Sequence, residues 1–298
     1  MSKVNKIKSS KGEQTFDVLN IVLMIVVCFV TLYPIWYTVV LSFNDGTDAL
    51  KGGIFWFPRE FTLDNYKAVF RNRGIITAYT ITIARTFIGT FINVFFTAMV
   101  AYAFSKKDLI GRKYYIALGT FTMFFGGGLI PLFLLLKSLQ LLDTFMVYII
   151  PTMFNFFNLL IFMSFFSTIP ASLEESAKMD GANDLVVFLR IVLPLSKPVL
   201  ATIALFTGVW HWNDYFFGVV YINKSSLQPI QTYLYKIVAE AGSSRMAISN
   251  PVGVSKSNVT SNSIKYATMV VTTLPIVLVY PFLQKYFVKG VMLGAVKG

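Results

Sequence analysis

The sequence predicts an all-α integral membrane protein, with six transmembrane helices and a short cytoplasmic helix between the fourth and the fifth. Of the 298 residues, 55% are hydrophobic and only 13% are charged, whereas a soluble domain carries roughly a quarter charged residues. The mean hydropathy is +0.65. Six apolar stretches are long enough to cross a bilayer, which takes about 20 residues each. Lipid is therefore the expected surrounding of most of the chain.

The first apolar stretch follows four lysines, as the core of a signal peptide would. It is too long for such a core, and no small-residue cleavage pattern follows it. It is therefore expected to remain in the protein as a helix. In chain order, the six predicted spans are Val18–Phe43, Ile76–Phe104, Tyr115–Leu136, Phe145–Ile169, Val199–Ile222 and Ile264–Val288.

Basic residues predict how the spans are oriented. They cluster before the first span, after the second span and at the C-terminal end. With six spans these three segments lie on one face, which an excess of Lys and Arg predicts to be cytoplasmic. The expected segments are cytoplasmic tails at 1–16 and 291–298, a transmembrane domain at 17–290, a cytoplasmic loop at 170–195 and external loops at 44–74 and 223–263.

Composition and motifs exclude several functions. The net charge of +12 is assigned to membrane topology, because no basic stripe with interleaved aromatic residues marks a nucleic-acid surface. One cysteine, Cys28, cannot form an internal disulfide, and one histidine, His211, leaves no His/Cys metal site. The phosphate-binding pattern G-x-x-x-x-G-K-[ST] does not occur, so the chain is not expected to be an enzyme or to bind ATP itself.

The stretch EESAKMDGANDLVVFLRIVLP, residues 174–194, predicts two short helices joined by a sharp turn. Ser172 and Glu175 have the spacing of a capping box, which begins the first helix. Gly181 follows two turns later, where a left-handed residue commonly ends a helix. Asn183 or Asp184 can then cap the second helix. The three glycines at 126–128 predict a kink or close helix packing in the third span.

The first of these helices is expected to contact another protein. Its small residues Ser176 and Ala177 suit insertion into a groove of a partner. The alternative is an amphipathic helix lying on the membrane surface. The acids Glu174 and Glu175 argue against this alternative, because anionic lipids of the inner leaflet favour Lys and Arg.

The same stretch resembles the EAA loop of the membrane subunits of ABC importers. Ser176 replaces the middle alanine of that motif, and the segments 124–144, 210–217 and 284–298 resemble the carbohydrate-importer, MalG-like branch. Importers of alginate or other complex oligosaccharides are among the similar permeases. The residues that carry the EAA resemblance are Glu174, Glu175, Ser176, Ala177, Asp180, Gly181, Ala182, Ile191, Leu193 and Pro194.

The resemblance implies a complex in a bacterial plasma membrane. Its members are this chain, a sister permease, two ATPase subunits that bind ATP and Mg²⁺, and an external solute-binding protein, with no cofactor in this chain. The EAA loop would be the coupling helix that docks into an ATPase subunit. The second external loop is either a solvated linker or a contact for the binding protein, through Gly242, Ser243, Ser244, Asn250 and Gly253.

Polar and aromatic residues within the spans are candidates for a substrate pathway. Trp210, Asn213 and Asp214 share a helical face by three- and four-residue spacing, or they belong to an aromatic belt at the membrane interface. Asn93, Asn155 and Asn158 either bind substrate or form hydrogen bonds between helices.

Arg85 allows two interpretations. If it faces a cavity, it favours an anionic sugar, which adds acidic oligosaccharides to neutral ones as candidate substrates. If the second span begins at Thr86, Arg85 instead extends to the outer interface. A secondary transporter remains an alternative function, since such proteins carry buried ionisable residues, and only Arg85 and Asp214 qualify. A membrane-embedded enzyme is disfavoured by the lone histidine and the scarcity of buried acids.

Overall fold

The computed structural model describes residues 10–247 and 259–295, and this part of the chain is almost entirely helical. Its one β-bridge joins Asn44 to Phe61. The α-helices are α1 (Lys11–Ser42), α2 (Gly46–Ala49), α3 (Asp64–Arg71), α4 (Arg73–Ser105), α5 (Arg112–Phe124), α6 (Leu129–Ser138), α7 (Phe156–Phe166), α8 (Ala171–Met179), α9 (Asp184–Val187), α10 (Leu193–Leu195), α11 (Lys197–Asn213), α12 (Phe216–Tyr221), α13 (Ile230–Ala247) and α14 (Ser261–Ala295).

Shorter helical turns complete the described chain. Two 3₁₀ turns, Phe145–Tyr148 and Ile150–Thr152, precede α7, and a third, Ser225–Leu227, precedes α13. A π-helical turn, Phe188–Val192, joins α9 to α10. Such turns frequently occur at functional sites.

Three helices are individually long and apolar enough to cross a membrane, namely α1, α4 and the part of α14 that ends at Val279. Three further pairs meet the same criterion only together, because each pair is bent. The bends are 113° between α5 and α6, 49° between the turns at 145–152 and α7, and 83° between residues 184–195 and α11. The described residues therefore supply between three and six spans, in agreement with a helical membrane protein.

Three predicted spans are interrupted, and the fourth is bent by 49° between the turns at 145–152 and α7. The third breaks at the three glycines, where Gly128 has φ +85°, so the predicted kink is confirmed. The fifth was expected to be continuous to Ile222, but α11 ends at Asn213 and its C-cap, Asp214, is extended. A short helix, α12, follows after one more residue. The continuous fifth span is therefore wrong.

The described residues divide into two compact units. The larger contains residues 72–242 and the chain from 272, and its core lies where α4 packs against α7 and α11. Ala98 and Ala101 of α4 are fully buried there, and small side chains let helices approach closely. The core side chains that surround them are Leu159, Phe162, Val187, Phe188, Val192, Val199 and Ile203.

The smaller unit holds a folded loop after α1. The buried Asn44 side chain accepts hydrogen bonds from the backbone N–H groups of Arg59 and Glu60, at 2.7 and 3.0 Å. Its amide nitrogen donates to Asp48, which also pairs with Arg59 at 2.8 Å. This hydrogen bonding lowers the pKa of Asp48, with the bond from Arg59 contributing most.

We expect Gly119→Ala to destabilise the protein by about 1–3 kcal/mol, the usual cost of overpacking. A methyl group at position 119 would lie within 3.0 Å of the Phe156 ring, which is itself buried. Gly126→Ala is the matched control, because a methyl group there meets nothing within 4 Å. Unfolding of the purified variants in detergent measures the difference. Equal stability of the two variants would contradict the close packing of α5 on α7.

Candidate functional site

Helix α8 begins two residues before the position that the sequence suggested. Its N-cap is Pro170, and no side chain caps it. The predicted capping box of Ser172 and Glu175 is therefore wrong, because Ser172 already lies inside the first turn. Proline is tolerated at this point, because the N–H that it lacks is not needed for the hydrogen bonds within the helix.

Helix α8 ends as predicted, at a left-handed glycine. Gly181 has φ +84°, and its N–H donates to the carbonyl of Lys178 at 3.0 Å. The N–H of Ala182 donates to the carbonyl of Ala177 at 2.9 Å. These two bonds form a Schellman motif. The Asn183 side chain then accepts from the N–H of Val186 at 2.9 Å, so Asn183 rather than Asp184 caps α9.

One face of α8 is anchored to its own chain. Glu174 forms an ion pair with Lys106, which follows α4, and accepts a hydrogen bond from the Tyr102 hydroxyl at 3.4 Å. Ala177 packs against the core of the larger unit. Lys106 also lies 4.2 Å from the centre of the Tyr102 ring. These contacts attach α8 directly to the end of α4.

The charges around α8 influence one another. Burial, reinforced by the positive charge of Lys178, lowers the pKa of Lys106. Lys178 pairs with Asp184 at 2.8 Å, and the hydrogen bond to this carboxylate raises the pKa of Lys178. Lys106 and Lys178 are both paired with carboxylates, whereas Glu175 and Asp180 are exposed.

The opposite face of α8 is exposed. It consists of side chains spaced three and four residues apart, among them Met179, which is 88% exposed. An exposed methionine on a helix is a common feature of binding surfaces. The sequence prediction did not include Met179, although it lies three residues after Ser176 and four after Glu175 and so belongs to the same helical face. We call this surface the exposed face of α8, composed of Ser172, Glu175, Ser176 and Met179.

The predicted residues that follow α8 connect it to the core. Ala182, Ile191 and Leu193 pack against the core of the larger unit, whereas Asp180 and Pro194 are exposed. The chain from α8 to α11 therefore has an apolar side that holds it in place. The exposed face of α8 remains available to a partner.

A cavity of about 350 Å³ lies inside the larger unit, between α4, the turns that precede α7, and α11. It brings together four of the predicted pathway residues, which are Asn93, Asn155, Asn158 and Trp210. Sequence reasoning did not select the remaining lining residues, because their separate helices give no local signal of a shared cavity. These residues are Pro151, Thr152, Phe154, Phe206, Thr207 and His211.

The asparagines in the cavity wall also hold the structure together. Asn93 donates to the Thr152 carbonyl at 2.7 Å and accepts from the Thr207 hydroxyl at 3.2 Å. It thereby links three elements, as expected for a hydrogen bond between helices. Asn155 caps α7 by accepting from the N–H of Asn158 at 2.9 Å. The Asn158 side chain lines the cavity and forms no hydrogen bond with the other described residues.

Arg85 occupies neither of the two positions expected for it. It is fully buried in α4, so the interpretation that it extends to the interface is wrong. It does not line the cavity either. Its guanidinium pairs with the Asp214 carboxylate at 2.9 Å, donates to the Asp214 carbonyl, and lies 5.0 Å from the Tyr148 ring centre. The positive charge is therefore balanced inside the protein.

The predicted shared face of Trp210, Asn213 and Asp214 is also wrong. Because α11 ends at Asn213, the three side chains separate: Trp210 lines the cavity, Asn213 is exposed, and Asp214 pairs with Arg85. The other carboxylate oxygen of Asp214 accepts from the N–H groups of Phe216 and Phe217, at 3.1 and 3.3 Å. Asp214 therefore also caps α12.

The predicted external contact loop begins as a helix. Gly242, Ser243 and Ser244 belong to α13, which continues to Ala247. The loop predicted at 223–263 is therefore helical from Ile230 to Ala247. The other two residues predicted for that contact, Asn250 and Gly253, lie outside the described residues.

The sequence was then compared with known proteins. A family described as binding-protein-dependent transport system inner membrane component matches residues 8–293. The chain belongs to this family. The resemblance to importer permeases that the loop at 174–194 indicated is therefore confirmed at the level of the family.

Individual members of the family are similar over nearly the whole chain. Protein LplC of Bacillus subtilis is 41% identical over 298 residues, which is 100% of both chains. The polygalacturonan/rhamnogalacturonan transport system permease protein YtcP of the same organism is 42% identical and covers 95% of this chain and 98% of its own. A bacterial ABC transporter involved in the import of the acidic polysaccharide alginate has a crystal structure with a TM-score of 0.85 and 32% identity, covering 95% of this chain and 100% of its own.

We expect Arg85→Gln to destabilise this permease by about 3–5 kcal/mol, because Asp214 is left as an unpaired buried charge. The double variant Arg85→Gln/Asp214→Asn should be more stable than Arg85→Gln alone, since both charges are gone. Unfolding in detergent micelles tests this cycle. Strictly additive losses would contradict a direct ion pair.

Proposed function

We propose that this chain is the permease subunit of an ATP-driven, binding-protein-dependent importer of oligosaccharides, with six spans that form half of the translocation pathway. Family membership and the carbohydrate transport named for its relatives support this function. The complex would include a sister permease, two ATPase subunits that bind ATP and Mg²⁺, and an external solute-binding protein. Both termini and α8 would lie on the cytoplasmic side of the plasma membrane.

The observation that carries the proposal is the division of α8 into an anchored face and an exposed face. The anchored face is tied to α4 by the ion pair of Glu174 with Lys106. The exposed face is free to dock into a groove of the ATPase subunit, in the manner of a helix bound by its periodic side chains. A displacement of α8 by the ATPase would then reach α4 directly, as rigid-body switching requires.

The substrate would pass the cavity between α4, the turns before α7, and α11. Trp210 offers an aromatic surface, and the side chains of Asn93, Asn155 and Asn158 offer amide groups. An acidic oligosaccharide is a candidate substrate because one similar transporter imports the acidic polysaccharide alginate. Arg85 would not select the acidic group, since its charge is balanced by Asp214.

We expect Met179→Asp and Glu175→Lys to abolish co-purification of the ATPase subunit while the sister permease is retained. Both changes lie on the exposed face of α8, so they should leave the fold of this chain intact. The measurement is recovery of partner subunits with a tagged chain from native membranes. Ile110→Asp is the matched control, because Ile110 is another apolar residue that is highly exposed, at 91%, outside the predicted spans.

Full recovery of the ATPase with both variants would contradict docking through α8. If the correctly inserted wild-type chain brings no ATPase, the importer assignment fails, and a secondary transporter becomes the better explanation. Loss of the sister permease from Met179→Asp would show that the variant disturbs the fold rather than the docking surface.

A further inference from the structure

We propose that the cavity binds the hydroxyl groups of one sugar ring and that the contact between His211 and Gly89 sets its width. The inference rests on the proposed import of oligosaccharides and adds a specific binding position to it. It depends on three observations in the larger unit, which are the chemistry of the cavity wall, the burial of His211, and the absence of a side chain at Gly89.

The cavity wall has the chemistry of a neutral carbohydrate site. None of its ten lining residues is charged. Trp210 provides a large aromatic surface that is partly open, at 45% exposure, and suits the C–H face of a sugar. Amides such as Asn158 both donate and accept hydrogen bonds, as sugar hydroxyl groups do. The volume of about 350 Å³ lies near the lower limit for small-molecule sites, which suits one ring.

His211 is a buried polar side chain in the cavity wall. It is only 1% exposed, and within the described part of the chain its Nε2 atom has no hydrogen-bond partner. Because Nε2 lies against Gly89, Nδ1 is the ring nitrogen that can form a hydrogen bond with a bound hydroxyl group.

Gly89 provides the space that His211 occupies. A methyl group at position 89 would approach both Nε2 and Cε1 of the imidazole more closely than 3.0 Å, a separation that real Cβ atoms essentially never show. The imidazole would have to move, and it is part of the cavity wall. Any side chain at position 89 would thus narrow the cavity through His211.

The two residues give a test by suppression. We expect Gly89→Ala to raise the KM for saccharide uptake about tenfold, because the displaced imidazole occupies part of the cavity. His211→Ala should raise KM by a similar factor through the loss of a hydrogen bond to a sugar hydroxyl group. Gly89→Ala/His211→Ala should match His211→Ala alone, since the added methyl group then has nothing to displace.

The assay is uptake of labelled trigalacturonate and of maltotriose by the complete complex in proteoliposomes. Gly208→Ala is the matched control, because a methyl group there reaches only ordinary contact distance, 3.5 Å from the Thr90 hydroxyl oxygen. It should leave KM unchanged. Asn158→Ala is the second variant if Gly89→Ala fails to assemble, and it should raise KM without affecting recovery of the ATPase.

Each outcome decides the proposal. An unchanged KM in Gly89→Ala would overturn the cavity as a sugar site and leave the importer assignment intact. If Gly89→Ala does not assemble, an unchanged KM in Asn158→Ala has the same meaning. A double variant with the combined loss of the two single variants would overturn the link between Gly89 and His211. If the wild-type complex takes up neither probe and has no ATPase activity stimulated by them, the proposed function fails, and the inference falls with it.

Discussion

The packing of α4 against α11 is the constraint on which the rest of the larger unit depends. A charge placed in an apolar interior must be paired, and Arg85 of α4 finds its partner in Asp214, directly after α11. Asp214 in turn caps α12, so the ion pair also determines where the chain departs from α11. Further along the same interface, Asn93 bonds to Thr207 and positions the cavity wall.

Helix α4 links the two parts of the candidate site. Its 33 residues extend about 50 Å, at ~1.5 Å per residue. Its C-terminal end is attached to α8 through Lys106 and Glu174, and its middle contributes Asn93 to the cavity. In the proposed importer, a single rigid helix would therefore carry movement from the ATPase-docking surface to the substrate pathway. No flexible connection intervenes between the ion pair and the cavity wall.

Local patterns in the sequence predicted local features well. The spacing around Gly181 indicated a left-handed turn, and the glycines at 126–128 indicated a kink, because backbone conformation depends on near neighbours. The partners of Arg85 and Glu174 lie 129 and 68 residues away along the chain. Such pairs are formed by tertiary packing, which a single sequence does not encode in any short pattern. The other six residues of the cavity wall escaped prediction for the same reason, as did the ion pair that Asp214 forms beyond the end of α11.

The central claim is that the exposed face of α8 docks on an ATPase subunit, and thiol crosslinking tests it most directly. Cys28 is the only native cysteine, so Cys28→Ser provides a background free of other thiols. Met179→Cys on that background should crosslink to the ATPase subunit through a short thiol-to-amine reagent. Ala177→Cys, on the anchored face, should not. Equal crosslinking from both positions, or none from Met179→Cys in an assembled complex, would contradict the account.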